Sequence, residues 1–345
     1  MFARNEFQVH GKTVVLTGGS RGMGLAVGRQ LAEKGANVVI VARDKKKLLE
    51  SLEHIRQGAS HPETQRFHQI SADLTSSTEA VRVIDETVSW NSGPPDIVWC
   101  CAGTAHPTLF IDTPVTELDN QMTNNYFTSL YMAHATLSCW LRKPLSQEAL
   151  TTASSMGGKS SSLRAVPGAP RHIIFTASIL AFYSVAGYSS YSPCKAALRS
   201  LSDTLSQELN LYAGAHPEQP PIRLHTIFPG TIYTEGYEKE NRVKTDLTKM
   251  LEEGEGGQTP ESIASKSIRG LEGGEELITT DFSGGLLKRA MLGGTHRRGF
   301  WRMGGDWIIA AVVAIVVIFV RGDMDRKARA WGRNFGTSGM KGSHD

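Results

Sequence analysis

Two hydrophobic periods alternate along most of the chain. Residues 12–44, KTVVLTGGSRGMGLAVGRQLAEKGANVVIVARD, read as a wholly apolar strand, a glycine-rich turn, an amphipathic helix closed at Gly35 and a second apolar strand. That order is a βαβ unit, and strands without a polar face belong to a sheet covered on both sides. The same rhythm predicts a helix over 44–56, a strand over 67–71, a helix over 77–89 and a strand over 96–103. A helix over 115–140, a strand over 172–178, a helix over 192–212 and a strand over 222–228 follow. Strands that alternate with crossover helices pair in parallel. The predicted fold class is therefore α/β, a Rossmann-type doubly wound parallel sheet of about seven strands.

Two stretches break the rhythm. Residues 143–171, largely PLSQEALTTASSMGGKSSSLRAVPGAP, show neither period and are rich in Ser, Gly, Ala and Pro, so a disordered insertion within the domain is expected there. Beyond about residue 276 the α/β pattern fades, and residues 307–320 read WIIAAVVAIVVIFV between Asp306 and Arg321. As a helix this run would be about 21 Å long, short of a hydrocarbon core of about 30 Å. It is a buried core helix, an interfacial or re-entrant segment, or a span lengthened upstream through Phe300 and Trp301. Arg297, Arg298 and Arg302 before it, and Arg321, Arg326, Lys327, Arg329 and Arg333 after it, suit an anionic lipid surface, and membrane attachment is the favoured expectation, with burial in an oligomer interface as the alternative. The organisation expected is a catalytic domain over 1–276 and a C-terminal extension, carrying the hydrophobic segment, over 277–345.

Composition narrows the class of partner. With 37 Lys plus Arg against 34 Asp plus Glu in 345 residues, the formal net charge is +3, too small for a chain built to bind nucleic acid. Cys100, Cys101, Cys139 and Cys194 fit neither a disulfide framework nor the paired spacing of a zinc site, so a reducing compartment and no metal are expected. The opening MFARNEFQVHG has no apolar run of signal-peptide length, and the catalytic part is not expected to be secreted.

The chemistry concentrates at the ends of predicted strands. Thr17-Gly18-Gly19-Ser20-Arg21-Gly22-Met23-Gly24 follows a strand and opens a helix, where backbone N–H groups can approach a pyrophosphate at the helix N-terminus. Arg43 and Asp44 end the second strand at the distance where an acid selects a ribose 2′-hydroxyl and an arginine accepts a 2′-phosphate. With Arg21 as a second guanidinium, the balance leans to NADP(H). Farther on, Tyr191 and Lys195 are one helical turn apart (195 − 191 = 4) and Ser178 precedes Tyr191 by 13 residues (191 − 178) at a strand end. A phenol with an ordinary pKa near 10 is a slow proton donor at neutral pH, and a cation about 4 Å away would lower it by roughly three units before desolvation. Tyr191 is the candidate acid, Lys195 the cation that tunes it, and Ser178 the hydroxyl that orients a carbonyl as charge grows on its oxygen.

TGGSRGMG, CCAG at 100–103, NNYFT and the Ser178, Tyr191, Lys195 set resemble the short-chain dehydrogenase/reductase family over residues 11–260. The resemblance implies that Asn125 completes a catalytic tetrad by holding a relay water to Lys195. It further implies that Asp73 and Leu74 contact adenine, that Gly103 lies at the cofactor, and that Pro229, Gly230 and Thr234 hold the nicotinamide carboxamide. Gly18, Ser20, Gly22 and Gly24 of the turn, with Tyr191 and Lys195, complete the cofactor set. Cys100 stands where the family commonly carries Asn. Residues 231–260 would form a substrate lid, whose Glu235, Glu238 and Glu240 either attract a substrate ammonium or are solvated lid charges, the second being favoured. The 228–261 segment and the apolar tail resemble the branch that reduces a long-chain sphingoid ketone with NADPH at the cytosolic face of the endoplasmic reticulum. Homodimerisation or a higher homo-oligomer is implied likewise. The rivals are a membrane-attached reductase of a steroid, retinoid or 3-ketoacyl chain, and a silent nucleotide-binding scaffold.

Overall fold

The computed structural model describes residues 5–141, 168–291, 300–337 and 339–341. Seven strands form one sheet in the order β3-β2-β1-β4-β5-β6-β7. They are β1 (Thr13–Thr17), β2 (Asn37–Ala42), β3 (Phe67–Ser71), β4 (Ile97–Cys100), β5 (Arg171–Thr176), β6 (Ile222–Phe228) and β7 (Leu277–Thr279), and every pairing is parallel. The order reverses between β1 and β4, the switch point where open α/β sheets hold ligands beyond the carboxyl ends of their strands.

Side chains alternate across the sheet into two cores. Val14, Leu16, Ile40, Trp99, Ile174 and Ile227 face one side, with Val27 and Leu31 of α1 (Gly22–Glu33), Ile55 of α2 (Lys45–Arg56), and Ile263 and Ile268 of α9 (Pro260–Glu272). Val15, Val39, Val98, Ile173 and Phe175 face the other, with Val83 of α3 (Ser77–Asn91), Met132 of α5 (Thr128–Leu141) and Leu198 of α6 (Ser192–Ala215). Each such side chain stabilises the fold by about 1.5–3 kcal/mol on leaving water, which explains why the strands read as unbroken apolar runs.

Three expectations change. The helix expected over 115–140 is three pieces: α4 (Val115–Met122), a π-helical turn over Thr123–Phe127, and α5. The insertion expected over 143–171 falls outside the described residues up to 167, and Arg171 already opens β5. The boundary at 276 is too early, because β7 pairs with β6 (Ile227↔Ile278) just beyond it and α10 (Phe282–Ala290) follows. A three-residue strand shows no alternation to read.

The apolar run 307–320 lies inside α11 (Phe300–Phe335), of which Gly304–Phe335 is long and apolar enough to cross a membrane. Only 6% of its most apolar window is buried, so it is not a core helix of the single chain. Val313 and Trp331 touch the body, while Trp307, Ile308, Ile315 and Phe319 are exposed. Arg289 pairs with Asp306 at 3.5 Å, the Tyr183 hydroxyl donates to Met324 Sδ at 2.6 Å, and Leu247 N donates to the Gly339 carbonyl at 3.0 Å.

Candidate active site

The turn between β1 and α1 is held by glycine at two points. Gly18 has φ +68°, and a Cβ there would meet Ala102 Cα at 2.9 Å, so the turn packs backbone to backbone against the loop after β4. A Cβ on Gly24 would run into the Gly18 carbonyl oxygen. Arg21 occupies the N-cap of α1 without a side-chain capping bond, and no acidic residue lies in the first turn. The first N–H groups of α1 and its positive end thus face outward unquenched, the arrangement that takes a phosphate. The turn fits a dinucleotide on these grounds. Ser20 lends its carbonyl to Ser51 Oγ (3.0 Å), and Gly22 lies against the Thr234 methyl.

The acid at the end of β2 is committed elsewhere. Asp44 Oδ1 accepts from Lys46 N (3.0 Å) and Lys47 N (3.1 Å) as the N-cap of α2. Arg43 beside it is exposed, like Arg21, and its carbonyl accepts from Ser71 Oγ at 3.1 Å. Asp73 accepts from Thr75 N (3.2 Å) and Thr75 Oγ1 (2.9 Å), which fixes the turn after β3, and Leu74 is buried behind it.

Ser178, Tyr191 and Lys195 come together beyond the carboxyl end of β5. Ser178 caps a short helical turn, its Oγ accepting from Leu180 N at 3.2 Å. Tyr191 is the N-cap of α6, and Lys195 Nζ lies 5.4 Å from the Tyr191 ring centroid while donating to the Thr176 carbonyl at 3.0 Å. Burial pushes the Tyr191 phenol well above its usual value, the Glu240 charge adds to the rise, and the Ser178 hydrogen bond opposes it. Burial brings Lys195 down to about 8. In the protein alone, desolvation is the largest influence on the Tyr191 phenol.

Asn125 sits in the π turn, fully buried. Its Nδ2 donates to Gln121 O (2.9 Å) and Thr104 O (2.8 Å), and its Oδ1 accepts from Thr104 N (3.2 Å). The widened turn frees a carbonyl that the amide satisfies. What the side chain visibly does is clamp the loop after β4, where Gly103 leaves room: a Cβ there would lie 2.7 Å from Asn125 Oδ1 and 3.3 Å from Lys195 Nζ. Cys100 is buried in β4 and Cys101 is pushed up to about 12 by burial, so neither thiol is a nucleophile.

The lid is helical. Thr234 caps α7 (Glu235–Val243), its Oγ1 accepting from Tyr237 N at 3.1 Å, and α8 (Asp246–Leu251) follows. Glu235 pairs with Lys47 (3.2 Å) and Lys239 (2.7 Å). Sequence reasoning missed an ion group beneath this helix: Lys244 Nζ, its side chain 2% exposed, lies 3.1 Å from Glu240 and 2.7 Å from Glu252, and Tyr188 OH donates to Glu240 at 2.6 Å. The i,i+4 spacing of Glu240 and Lys244 was the available signal.

A family model described as short chain dehydrogenase matches residues 12–172 and 168–245. The chain is 46% identical over 340 residues to a 3-ketodihydrosphingosine reductase of Aspergillus fumigatus, covering 96% of this chain and 87% of the relative. It is 38% identical over 336 residues to a 3-ketodihydrosphingosine reductase of Neurospora crassa, covering 97% and 86%. The solved structure of a short-chain type dehydrogenase/reductase from Mycobacterium ulcerans superposes with a TM-score of 0.60 at 18% identity, over 79% of this chain and 89% of that one.

Proposed function

The chain belongs to the short-chain dehydrogenase family, and from that membership we propose that it reduces 3-ketodihydrosphingosine to dihydrosphingosine in sphingolipid biosynthesis, with NADPH as hydride donor. The substrate follows from relatives of that name that align over nearly the whole chain. The single observation that carries the chemistry is the convergence of Ser178, Tyr191 and Lys195 at the end of β5, beside the glycine turn of β1.

In this reading the nicotinamide cofactor supplies the hydride, and the chain's residues manage position and proton. Ser178 donates its hydroxyl to the ketone oxygen. Tyr191 delivers its proton to that oxygen as negative charge develops there. Lys195, near its midpoint at about 8, restores the proton and would hold the ribose. Asn125 positions Gly103 and Thr104, which would border the cofactor, and Thr234 would hold the carboxamide. Asp73 and Leu74 would contact the adenine. NADPH is favoured over NADH because Arg21 and Arg43 present two exposed guanidinium groups for a 2′-phosphate, while Asp44 Oδ1 serves as the cap of α2. Replacing Tyr191 by Phe tests the assignment: turnover should vanish while NADPH still binds, and an unchanged rate would refute it.

The substrate is a long-chain amphiphile that partitions into bilayers, and α11 gives the enzyme a means to meet it there. We assign the enzyme to the endoplasmic reticulum membrane with its catalytic domain in the cytosol. Replacing the exposed Ile315 and Phe319 by Glu should release it from the membrane fraction, and persistent sedimentation with membranes would count against attachment through α11.

A further inference from the structure

We infer that Glu240 selects a ketone carrying a cationic amino group on the carbon next to the carbonyl. The inference rests on the reductase reading above and names the group that would recognise its substrate. Three glutamates lie on α7, and the structure separates them. Glu235 is exposed and neutralised by Lys47 and Lys239, and Glu238 is exposed on the same helix. Glu240 is half-buried, and its two oxygens differ. Oε1 accepts from Tyr188 OH at 2.6 Å and faces Lys244 Nζ at 3.1 Å, whereas Oε2 accepts no hydrogen bond from the described residues. One oxygen holds the carboxylate in place and the other retains its capacity to accept.

Charge and position support the same conclusion. Lys244 is a single buried cation shared by Glu240 and Glu252, so these three groups carry one negative charge in excess. Tyr188, which anchors Glu240, stands three residues before Tyr191, with the two rings 6.0 Å apart. The Glu240 charge reaches Tyr191, where it helps to hold the phenolic proton. In an α-amino ketone the nitrogen is two bonds from the carbonyl carbon. A carbonyl oxygen placed to take the Tyr191 proton therefore sets the ammonium within a few ångströms of it, where the Glu240 charge also acts. The ammonium cancels the excess charge and so eases release of the Tyr191 proton. A ketone without the amine leaves that charge in place.

The experiment uses the full chain purified in detergent with saturating NADPH, and compares kcat/KM for 3-ketodihydrosphingosine with that for the same ketone bearing hydrogen in place of the amine. The wild-type protein should prefer the aminated ketone. Glu240→Gln keeps an acceptor for Tyr188 and should lower that preference by about 10- to 100-fold, the loss expected for one charge-assisted hydrogen bond. Glu235→Gln should keep the preference. Equal use of both ketones by the wild type, an equal loss on both in Glu240→Gln, or the same collapse in Glu235→Gln would each overturn the inference. Turnover of neither ketone by protein that binds NADPH would instead overturn the reductase reading, and this inference with it.

Discussion

The two ends of the sheet are built from the same seven strands and treat their polar groups in opposite ways. At the amino ends, polar groups close on one another. Asp96 accepts from Lys12 Nζ and from Thr13 N, both at 2.9 Å, Thr13 Oγ1 donates to Asn91 at 2.7 Å, and Arg223 pairs with Glu6 at 2.7 Å. His172 and His225 are linked at 3.0 Å and capped by the Glu275 carbonyl, with Phe7 edge-on to His172. At the carboxyl ends, α1 begins uncapped, Arg21 and Arg43 reach solvent, and Glu240 keeps an open oxygen. Groups that are satisfied hold a fold together, and groups left unsatisfied at a cleft are available to a ligand. Substitutions at one end should therefore cost turnover, and at the other stability.

The largest test of that contrast is Tyr191→Phe, expected to lower kcat by about 10²–10⁴-fold with little change in Tm, measured by steady-state kinetics and thermal melting. A melting loss that accounted for the lost rate would erase the distinction. Next, Arg43→Leu should cut the preference for NADPH over NADH by about 10- to 100-fold, read as the ratio of kcat/KM values. An unchanged ratio would place the 2′-phosphate elsewhere. At the opposite end, Asp96→Ala leaves the buried Thr13 N–H and Lys12 without their partner, and should cost about 1–3 kcal/mol of stability with kcat preserved.

The smallest effect is one of pH. His172 is held down to about 2, by burial first and by His225 second. In the unfolded chain it takes up a proton near 6.5, so below that pH the unfolded state binds more protons and stability falls as pH falls. His172→Gln should flatten the dependence of unfolding free energy between pH 6.5 and 5 by about one proton, or roughly 1.4 kcal/mol per pH unit. An unaltered slope in urea titrations would mean that His172 is already protonated in the native protein.

Much of this was legible in the sequence where a single period or spacing decides the outcome. Six strands, the glycine turn, and the Ser178, Tyr191, Lys195 set depend on local pattern, and the β3 and β6 ranges coincide with the residues expected. What escaped depends on contacts between distant segments. β7 is too short to show alternation, and its place is fixed by pairing with β6. The π turn at Asn125 answers to Thr104, about twenty residues away, and no helical period announces it. Arg43 and Asp44 point to opposite cofactors as letters, and only the cap on α2 shows which is engaged. Proximity of Tyr191 to Lys195 could be read from spacing, but the burial of Tyr191 could not. The ion group of Lys244, Glu240 and Glu252 joins α7 to the segment after α8, and sequence offered half of it.

The most direct test of the account follows the nicotinamide absorbance of detergent-purified protein given 3-ketodihydrosphingosine, with NADPH and NADH in parallel. The account predicts rapid oxidation of NADPH, slow oxidation of NADH, and dihydrosphingosine as product. Protein that binds NADPH but leaves the ketone untouched would contradict it, while keeping the fold and the family.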